Sequence, residues 1–166
     1  MHFQTPYALG LLAALGATPA LAGQKVVALW AAGTWSVAGG IGGNINSWDS
    51  TFALLNEDGE SIFQANLIDG YKSCIHVGQD FQLEGACFGG AWYGFQCSGN
   101  QIGIPEECEV FGPDGESLAK GNSDDATDYF GLGISESGNC KVQFELADGI
   151  ECGPNSIGFE THVVDS

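Results

Sequence analysis

Two large aromatic side chains, Trp92 and Tyr93, stand in a glycine-rich segment between Cys87 and Cys97. A disulfide-closed hairpin there would hold both rings rigidly, at a low entropic cost. Rigid, exposed aromatic rings stack on sugars or act as hot spots for protein partners. We therefore predict that Trp92 and Tyr93 bind a ligand. The alternative is that the aromatic residues fill the core, as would the other tryptophans, Trp30, Trp35 and Trp48.

Carboxylates on predicted strands offer a second kind of chemistry. A glycosidase needs one carboxyl group as acid and another as nucleophile or base, about 5–10 Å apart. Four glutamates on or beside predicted strands could point into a cleft: Glu84, Glu145, Glu151 and Glu160. Because the sequence does not pair them in space, a carboxylate-dependent hydrolase acting on polysaccharide is kept as an alternative.

Metal and nucleophilic chemistry have weaker support. Residues 122–128 have the aspartate, asparagine and serine content of a calcium loop but lack the order of an EF-hand, so they predict a solvated acidic loop. His76 or His162 could belong to a catalytic triad only beside a nucleophile, and the sequence contains no G-x-S-x-G motif that would supply one. We predict no catalytic residue, no metal site and no cofactor.

The first twenty-two residues have the layout of a secretory leader. An apolar run over residues 8–17 is followed by Pro19 and by the small-x-small pattern Ala20-Leu21-Ala22. The run is too short for a membrane span, which needs about 20 apolar residues. We predict a signal peptide at residues 1–22, one all-β domain at residues 23–166, and an extracellular location.

Six cysteines follow the leader: Cys74, Cys87, Cys97, Cys108, Cys140 and Cys152. An even number in an exported chain predicts three disulfides. Their pairing stays open between two patterns. An internal repeat favours Cys87–Cys97, Cys140–Cys152 and Cys74–Cys108. Pairing between nearest neighbours gives Cys74–Cys87, Cys97–Cys108 and Cys140–Cys152.

The charge balance excludes several classes of partner. Acidic residues number 21 against four lysines, no arginine is present, and the net charge is −17. Such a surface repels phosphate backbones and anionic lipid headgroups. We expect neither a nucleic-acid nor a membrane partner, and the sequence leaves the oligomeric state open.

Alternation of apolar and polar residues predicts an all-β fold. In residues 141–146, Val142, Phe144 and Leu146 share one face of the predicted strand. Candidate strands cover residues 26–30, 34–38, 51–55, 61–66, 71–77, 81–84, 92–96, 109–111, 129–134, 141–146 and 159–164. Residues 31–46 are rich in glycine and predict a flexible loop or glycine-kinked strands. Short strands at regular spacing predict an antiparallel β-sandwich or barrel stabilised by disulfides.

A weak internal repeat accompanies the strands. The sequence Asp58-Gly59-Glu60-Ser61 recurs as Asp114-Gly115-Glu116-Ser117, and Asp-Gly also occurs at residues 69–70 and 148–149. Asp-Gly suits tight hairpins because both positions tolerate a positive φ. The sequence therefore predicts four tight turns and, from the recurrence, two equivalent halves.

In its layout the chain resembles the broad class of small secreted cysteine-rich proteins of filamentous fungi. The leader, the compact acidic domain and the six cysteines carry this resemblance, and no functional residue is transferred by it. The resemblance implies an effector acting at a host or microbe surface. We predict a secreted β-protein that binds an extracellular protein or glycan, the alternatives being the polysaccharide hydrolase and a structural protein of the cell wall or matrix.

Overall fold

The computed structural model describes residues 23–40, 43–72, 74, 79–101, 103–130 and 133–164. The leader predicted at residues 1–22 and His76 lie outside these ranges. The described chain is nearly all β, which confirms the predicted fold class, and none of its helices is long and apolar enough to cross a membrane. The strands are β1 (Lys25–Gly40), β2 (Gly43–Leu55), β3 (Ser61–Ala65), β4 (Gln79–Glu84), β5 (Trp92–Gly99), β6 (Pro105–Phe111), β7 (Ser117–Phe130), β8 (Gly133–Glu145) and β9 (Glu160–Val164), with a 3-10 turn at Ala86–Phe88.

The strands form one antiparallel sheet in the order β3-β2-β1-β8-β7-β6-β5-β4-β9. The sheet folds at β7, whose first half pairs with β6 and whose second half pairs with β8. Asn122 is the residue common to both ladders. At the preceding position, a Cβ atom on Gly121 would collide with the carbonyl oxygen of Lys141. Glycine permits this close approach, and the sheet curls here into a half-barrel.

The Cys108–Cys140 disulfide spans this fold, because Cys108 lies on β6 and Cys140 on β8. Their Cα atoms are 6.1 Å apart. Two strand spacings in a flat sheet would separate them by about 9.6 Å. The bridge is therefore compatible only with the curled sheet, and it passes over Gly121, whose added Cβ would lie 2.9 Å from Cys108 Sγ.

All six cysteines are paired, as predicted, but both predicted pairing patterns are wrong. The bridges are Cys74–Cys97, Cys87–Cys152 and Cys108–Cys140. Strand order brings Cys108 on β6 close to Cys140 on β8, while the other two bridges join turns or loops to the rest of the fold. Proximity along the chain, on which both predictions relied, does not determine that order.

The core lies between the two facing halves of the half-barrel and is rich in aromatic rings. Trp30 on β1 and Phe52 on β2 meet Phe81 on β4 and Phe95 on β5. The centroid of Phe52 lies 5.1 Å from that of Trp30, 4.9 Å from Phe81 and 5.2 Å from Phe95. These contacts pack β1 and β2 against β4 and β5 and so stabilise the curled shape of the sheet.

The two edge strands, β3 and β9, are joined by side chains and loops. The carboxylate of Asp69 accepts hydrogen bonds from Thr161 Oγ1 at 2.6 Å and from the backbone nitrogen of Val163 at 3.0 Å. The backbone nitrogen of Asn155 donates to the carbonyl oxygen of Ser61 at 2.7 Å. The edges of the sheet are therefore bridged without a regular β-ladder.

For the glycine-rich residues 31–46 the sequence left a flexible loop and strands as alternatives, and the structure has strands: β1 runs to Gly40, β2 begins at Gly43, and these two residues are paired. Two other predicted elements differ from the structure. The predicted strand at residues 129–134 is wrong, because β7 ends at Phe130 and β8 begins at Gly133. The predicted acidic loop at residues 122–128 is also wrong, since the segment lies within β7.

The predicted strand at residues 71–77 is wrong where the structure describes it. Cys74 has a φ of 65° and lies in a turn, a conformation incompatible with an extended strand. The alternation of this segment was compatible with a strand, but the bridge from Cys74 to Cys97 on β5 draws the chain against the sheet instead.

The four Asp-Gly turns are confirmed, with a positive φ at each glycine. The two turns of the internal repeat are also equivalent in register. Leu55 pairs with Ser61 in one hairpin and Phe111 pairs with Ser117 in the other, each next to a bulge. The repeat therefore holds for these hairpins and fails for the cysteines.

Candidate functional site

Strict alternation along β5 separates the two aromatic residues predicted to bind a ligand. Tyr93 points inward, is 1% exposed and packs on Phe88 at a centroid distance of 4.9 Å. Its hydroxyl accepts a long hydrogen bond, 3.4 Å, from the backbone nitrogen of Ala147. The prediction that Tyr93 offers a face to a ligand is wrong, because both faces of its ring are enclosed by the core.

Trp92 points the other way and borders a groove on the outer face of the sheet. The groove encloses about 440 Å³, within the range of small-ligand sites, and its apolar wall also includes Phe111 and Pro113. Gly94 forms the floor between the two rings, where an added Cβ would lie 3.1 Å from Cβ of Phe111. We call this the Trp92 groove.

Polar side chains complete the Trp92 groove from other strands. Asp80 and Gln82 come from β4, and Asp114 comes from the turn between β6 and β7. The register continues the polar row across the sheet, since Asp80 pairs with Gln96 on β5 and Gln96 pairs with Glu109 on β6. Rings and hydrogen-bonding groups therefore face the same space.

A second groove of about 560 Å³ adjoins the first at the Asp80–Gln96 pair. Its lining side chains include Gln96, Ser98, Glu107, Glu109, Lys120 and Asn122. Lys120 Nζ forms an ion pair with Glu109 Oε2 at 2.9 Å. Together the two grooves offer an extended polar surface with aromatic rings at one end. We call the second one the Glu109 groove.

The two carboxylates on either side of Gln96, Asp80 and Glu109, have pKa values shifted in opposite directions. Burial raises the pKa of Asp80 above its ordinary value of 3.8, with a smaller contribution from the negative charge of Glu109, while a hydrogen bond with Gln96 opposes the shift. The pKa of Glu109 is lowered by a hydrogen bond with Ser117 and, further, by Lys120. One oxygen of the Asp80 carboxylate, Oδ1, is buried without a hydrogen-bond partner.

We expect Asp80→Asn to stabilise the folded protein at neutral pH. Because folding raises the pKa of Asp80, its ionised form destabilises the folded state at any pH above that raised value. The advantage of the variant should shrink as the pH falls through the raised pKa and vanish below 3.8. Urea unfolding at neutral and acidic pH measures it. Glu109→Gln should show the opposite sign, and a uniform gain of Asp80→Asn at every pH would contradict this account.

The four glutamates predicted as candidate acids lie in two separate places. Glu84 and Glu160 are directly opposite each other on β4 and β9, and Glu84 is also opposite Trp92. Glu145 and Glu151 instead line a cavity of about 830 Å³ at one end of the half-barrel. The structure thus brings one pair of these carboxylates close to the Trp92 groove.

Sequence reasoning missed Asp80, Phe111 and Gln96, which come from three different strands. The available signal was alternation, which places Gln96 on the same face as Trp92. Asp80 on β4 and Phe111 on β6 could not be found in this way, because their positions beside β5 depend on the register between strands.

Within the described ranges no group of three or more histidine, cysteine or acidic side chains is arranged to hold a metal ion. Comparison with protein-family models, curated proteins and solved structures found no match.

Proposed function

We propose that this chain is a secreted protein that binds an extracellular glycan in the Trp92 groove, acting as an effector at a host or microbe surface. Export is supported by the leader pattern at residues 1–22 and by three disulfides, which persist in oxidising compartments. Binding is supported by a rigid scaffold that presents a half-buried tryptophan on a polar face.

The observation that carries the proposal is the combination of rings and polar groups around Gly94. A sugar has an apolar ring face and hydroxyl groups at its rim. Trp92 and Phe111 can stack on the ring face, and Asp80 and Gln82 can accept and donate hydrogen bonds at the rim. A protein partner would need a broader surface, since stable interfaces bury about 800 Å² on each side.

The hydrolase alternative has one observation in its favour. Glu84 and Glu160 are directly opposite across β4 and β9, and such pairs have Cβ atoms about 4.5–5.5 Å apart. With Cβ atoms at that spacing, side-chain rotation can bring the two carboxyl groups to the separation of about 5 Å that suits a retaining glycosidase. Glu84 is directly opposite Trp92 on β5, so a glycan held by Trp92 would also lie close to both carboxylates.

Trp92→Ala should weaken glycan binding by about thirtyfold, which corresponds to the loss of one hot-spot side chain of about 2 kcal/mol. The oxidised protein would be screened on an array of oligosaccharides, and the hits measured by calorimetry. Tyr71→Ala is the matched control, because Tyr71 is an aromatic residue 56% exposed that does not line the groove.

Three outcomes would contradict the proposal. Unchanged affinity of Trp92→Ala would remove the groove from the site. Release of reducing ends from a bound glycan, abolished by Glu84→Gln, would favour the hydrolase. Absence of binding to every glycan, with retention of the protein in the insoluble wall fraction, would favour a structural role.

A further inference from the structure

The outer face of β5 carries a row of residues that reach solvent. Half-buried and buried positions alternate strictly along the strand, so Trp92, Gly94, Gln96 and Ser98 share this face. Six residue steps of about 3.3 Å place Ser98 about 20 Å from Trp92, the length of about four sugar residues in an extended chain. The row is therefore long enough for an oligosaccharide.

The two grooves lie one after the other along this row. The Trp92 groove covers its start, and the Glu109 groove covers Gln96 and Ser98. They meet where Gln96 is opposite Asp80 and forms a hydrogen bond with its side chain. Because each groove by itself has the volume of a small-ligand site, a ligand that fills both is an oligomer.

The chemistry of the row changes along its length. At its start the side chains are apolar rings, Trp92 and Phe111. Farther along they are uncharged hydrogen-bonding groups, the amide of Gln96, the hydroxyl of Ser98 and the amide of Asn122 from β7. An amide has two N–H donors and an acceptor oxygen, so Gln96 can bind a sugar hydroxyl in addition to its partner on β4. One ring of an oligosaccharide can therefore stack at the aromatic end while the following rings are held by their hydroxyl groups.

The charges beside the row disfavour an anionic ligand. Lys120 lines the Glu109 groove, but Glu109 engages it in an ion pair at 2.9 Å. Glu107 and Asp114 are exposed carboxylates at the margins of the two grooves, and they would repel uronate or sulfate groups. A polycation would be attracted by the net charge of −17 over the whole surface, rather than by this row in particular. An uncharged chain suits the row itself.

Both ends of the row are open. Gly89 and Gly90 precede Trp92, are exposed and have no side chain that could close that end. At the other end Glu107 and Asn122 are exposed. A site that recognises the terminus of a glycan needs a wall at one end, which these positions do not provide.

We propose that the Trp92 groove and the Glu109 groove together bind an internal stretch of a linear, uncharged polysaccharide that runs along β5. This inference rests on the proposed function and specifies the class of its ligand. One ring of the polymer stacks on Trp92, and the next rings exchange hydrogen bonds with Gln96 and Ser98. The polymer continues past both ends of the row, so the protein binds along the chain rather than at its terminus.

The test titrates the intact, oxidised protein by calorimetry with β-linked oligomers of glucose, mannose and N-acetylglucosamine, from disaccharide to hexasaccharide. We expect the affinity for the preferred sugar to rise about thirtyfold from disaccharide to tetrasaccharide, the gain expected of two neutral hydrogen bonds, and then to level off. A bulky group on the reducing end of the hexasaccharide should leave its affinity unchanged. A uronate oligomer of the same length should bind more weakly.

A double variant, Gln96→Ala with Ser98→Ala, should abolish the gain with length and leave the affinity for the disaccharide unchanged. Trp92→Ala should weaken binding at every length. Gln64→Ala is the matched control, because Gln64 is an exposed amide on β3 that lines neither groove. An equal effect of the control and the double variant would overturn the inference.

The remaining outcomes separate this inference from the proposed function. Equal affinity at all lengths, lost in Trp92→Ala, would overturn the inference and leave glycan binding standing. The same holds if the blocked reducing end abolishes binding, or if a charged oligomer binds more tightly than the uncharged ones. Binding of none of these oligomers would overturn the inference, and binding of no glycan on the array would overturn the proposed function as well.

Discussion

Phe52→Ala should lower the free energy of unfolding by about 3–5 kcal/mol, the range for removing a fully buried phenylalanine ring. Phe52 is 0% exposed and lies on β2. Its ring contacts Trp30 in its own half of the sheet, and Phe81 and Phe95 in the opposite half. The substitution would leave a cavity where the two halves meet, and well-packed neighbours can collapse into it only in part.

Reversible urea unfolding of the oxidised protein measures this loss. Phe159→Ala is the matched control, since it removes the same ring from a half-buried position that contacts Phe63 and Phe88 near the edge of the sheet. We expect the control to lose clearly less stability. Equal losses in the two variants would show that the contacts of Phe52 between the halves are not the main source of core stability.

Removal of the Cys87–Cys152 bridge, by serine at both positions, should destabilise the protein by about 4 kcal/mol in the chain-entropy model. This bridge has the longest sequence separation of the three, 65 residues. It also holds a segment between β8 and β9 that has little regular structure. Gln24 also holds this segment in place. Its side chain donates a hydrogen bond to the carbonyl oxygen of Cys152 at 3.0 Å and accepts one from the backbone nitrogen of Cys152 at 2.7 Å.

The corresponding double replacement of Cys74 and Cys97 is the comparison, because that bridge has a separation of 23 residues. The same model predicts a loss smaller by about 1 kcal/mol. Denaturation midpoints of both variants and the parent protein measure the order. A larger loss from the shorter bridge would mean that native-state contacts, rather than the entropy of the unfolded chain, dominate.

Local patterns predicted the strands well where apolar and polar residues alternate cleanly. On β8, Val142 and Phe144 are buried and Lys141 and Gln143 are exposed, as the sequence predicts. At β5 the strand was predictable but its orientation was not. Trp92 and Tyr93 are both large aromatic residues, so hydrophobicity alone cannot tell which of them faces the core.

Features that depend on the order and bending of strands could not be predicted locally. The bridge from Cys108 to Cys140 requires β6 and β8 to approach across β7, which in turn requires Gly121 at the bend. The Trp92 groove has the same origin. Asp80 and Phe111 reach it only because β4 and β6 flank β5 in a particular register.

The pairing of β1 with β8 has a consequence for the kinetics of folding. In this central ladder Val26 on β1 is opposite Phe144 on β8. The pairing of β1 is therefore complete only after nearly all of the described chain has been synthesised. Such distant pairing raises the contact order and slows folding. During synthesis, the β1–β2 hairpin would be left with an unsatisfied edge and an exposed apolar row until β8 arrives. Two of the three disulfides, Cys108–Cys140 and Cys87–Cys152, need a cysteine on β8 or after it, so they cannot stabilise the chain during this interval.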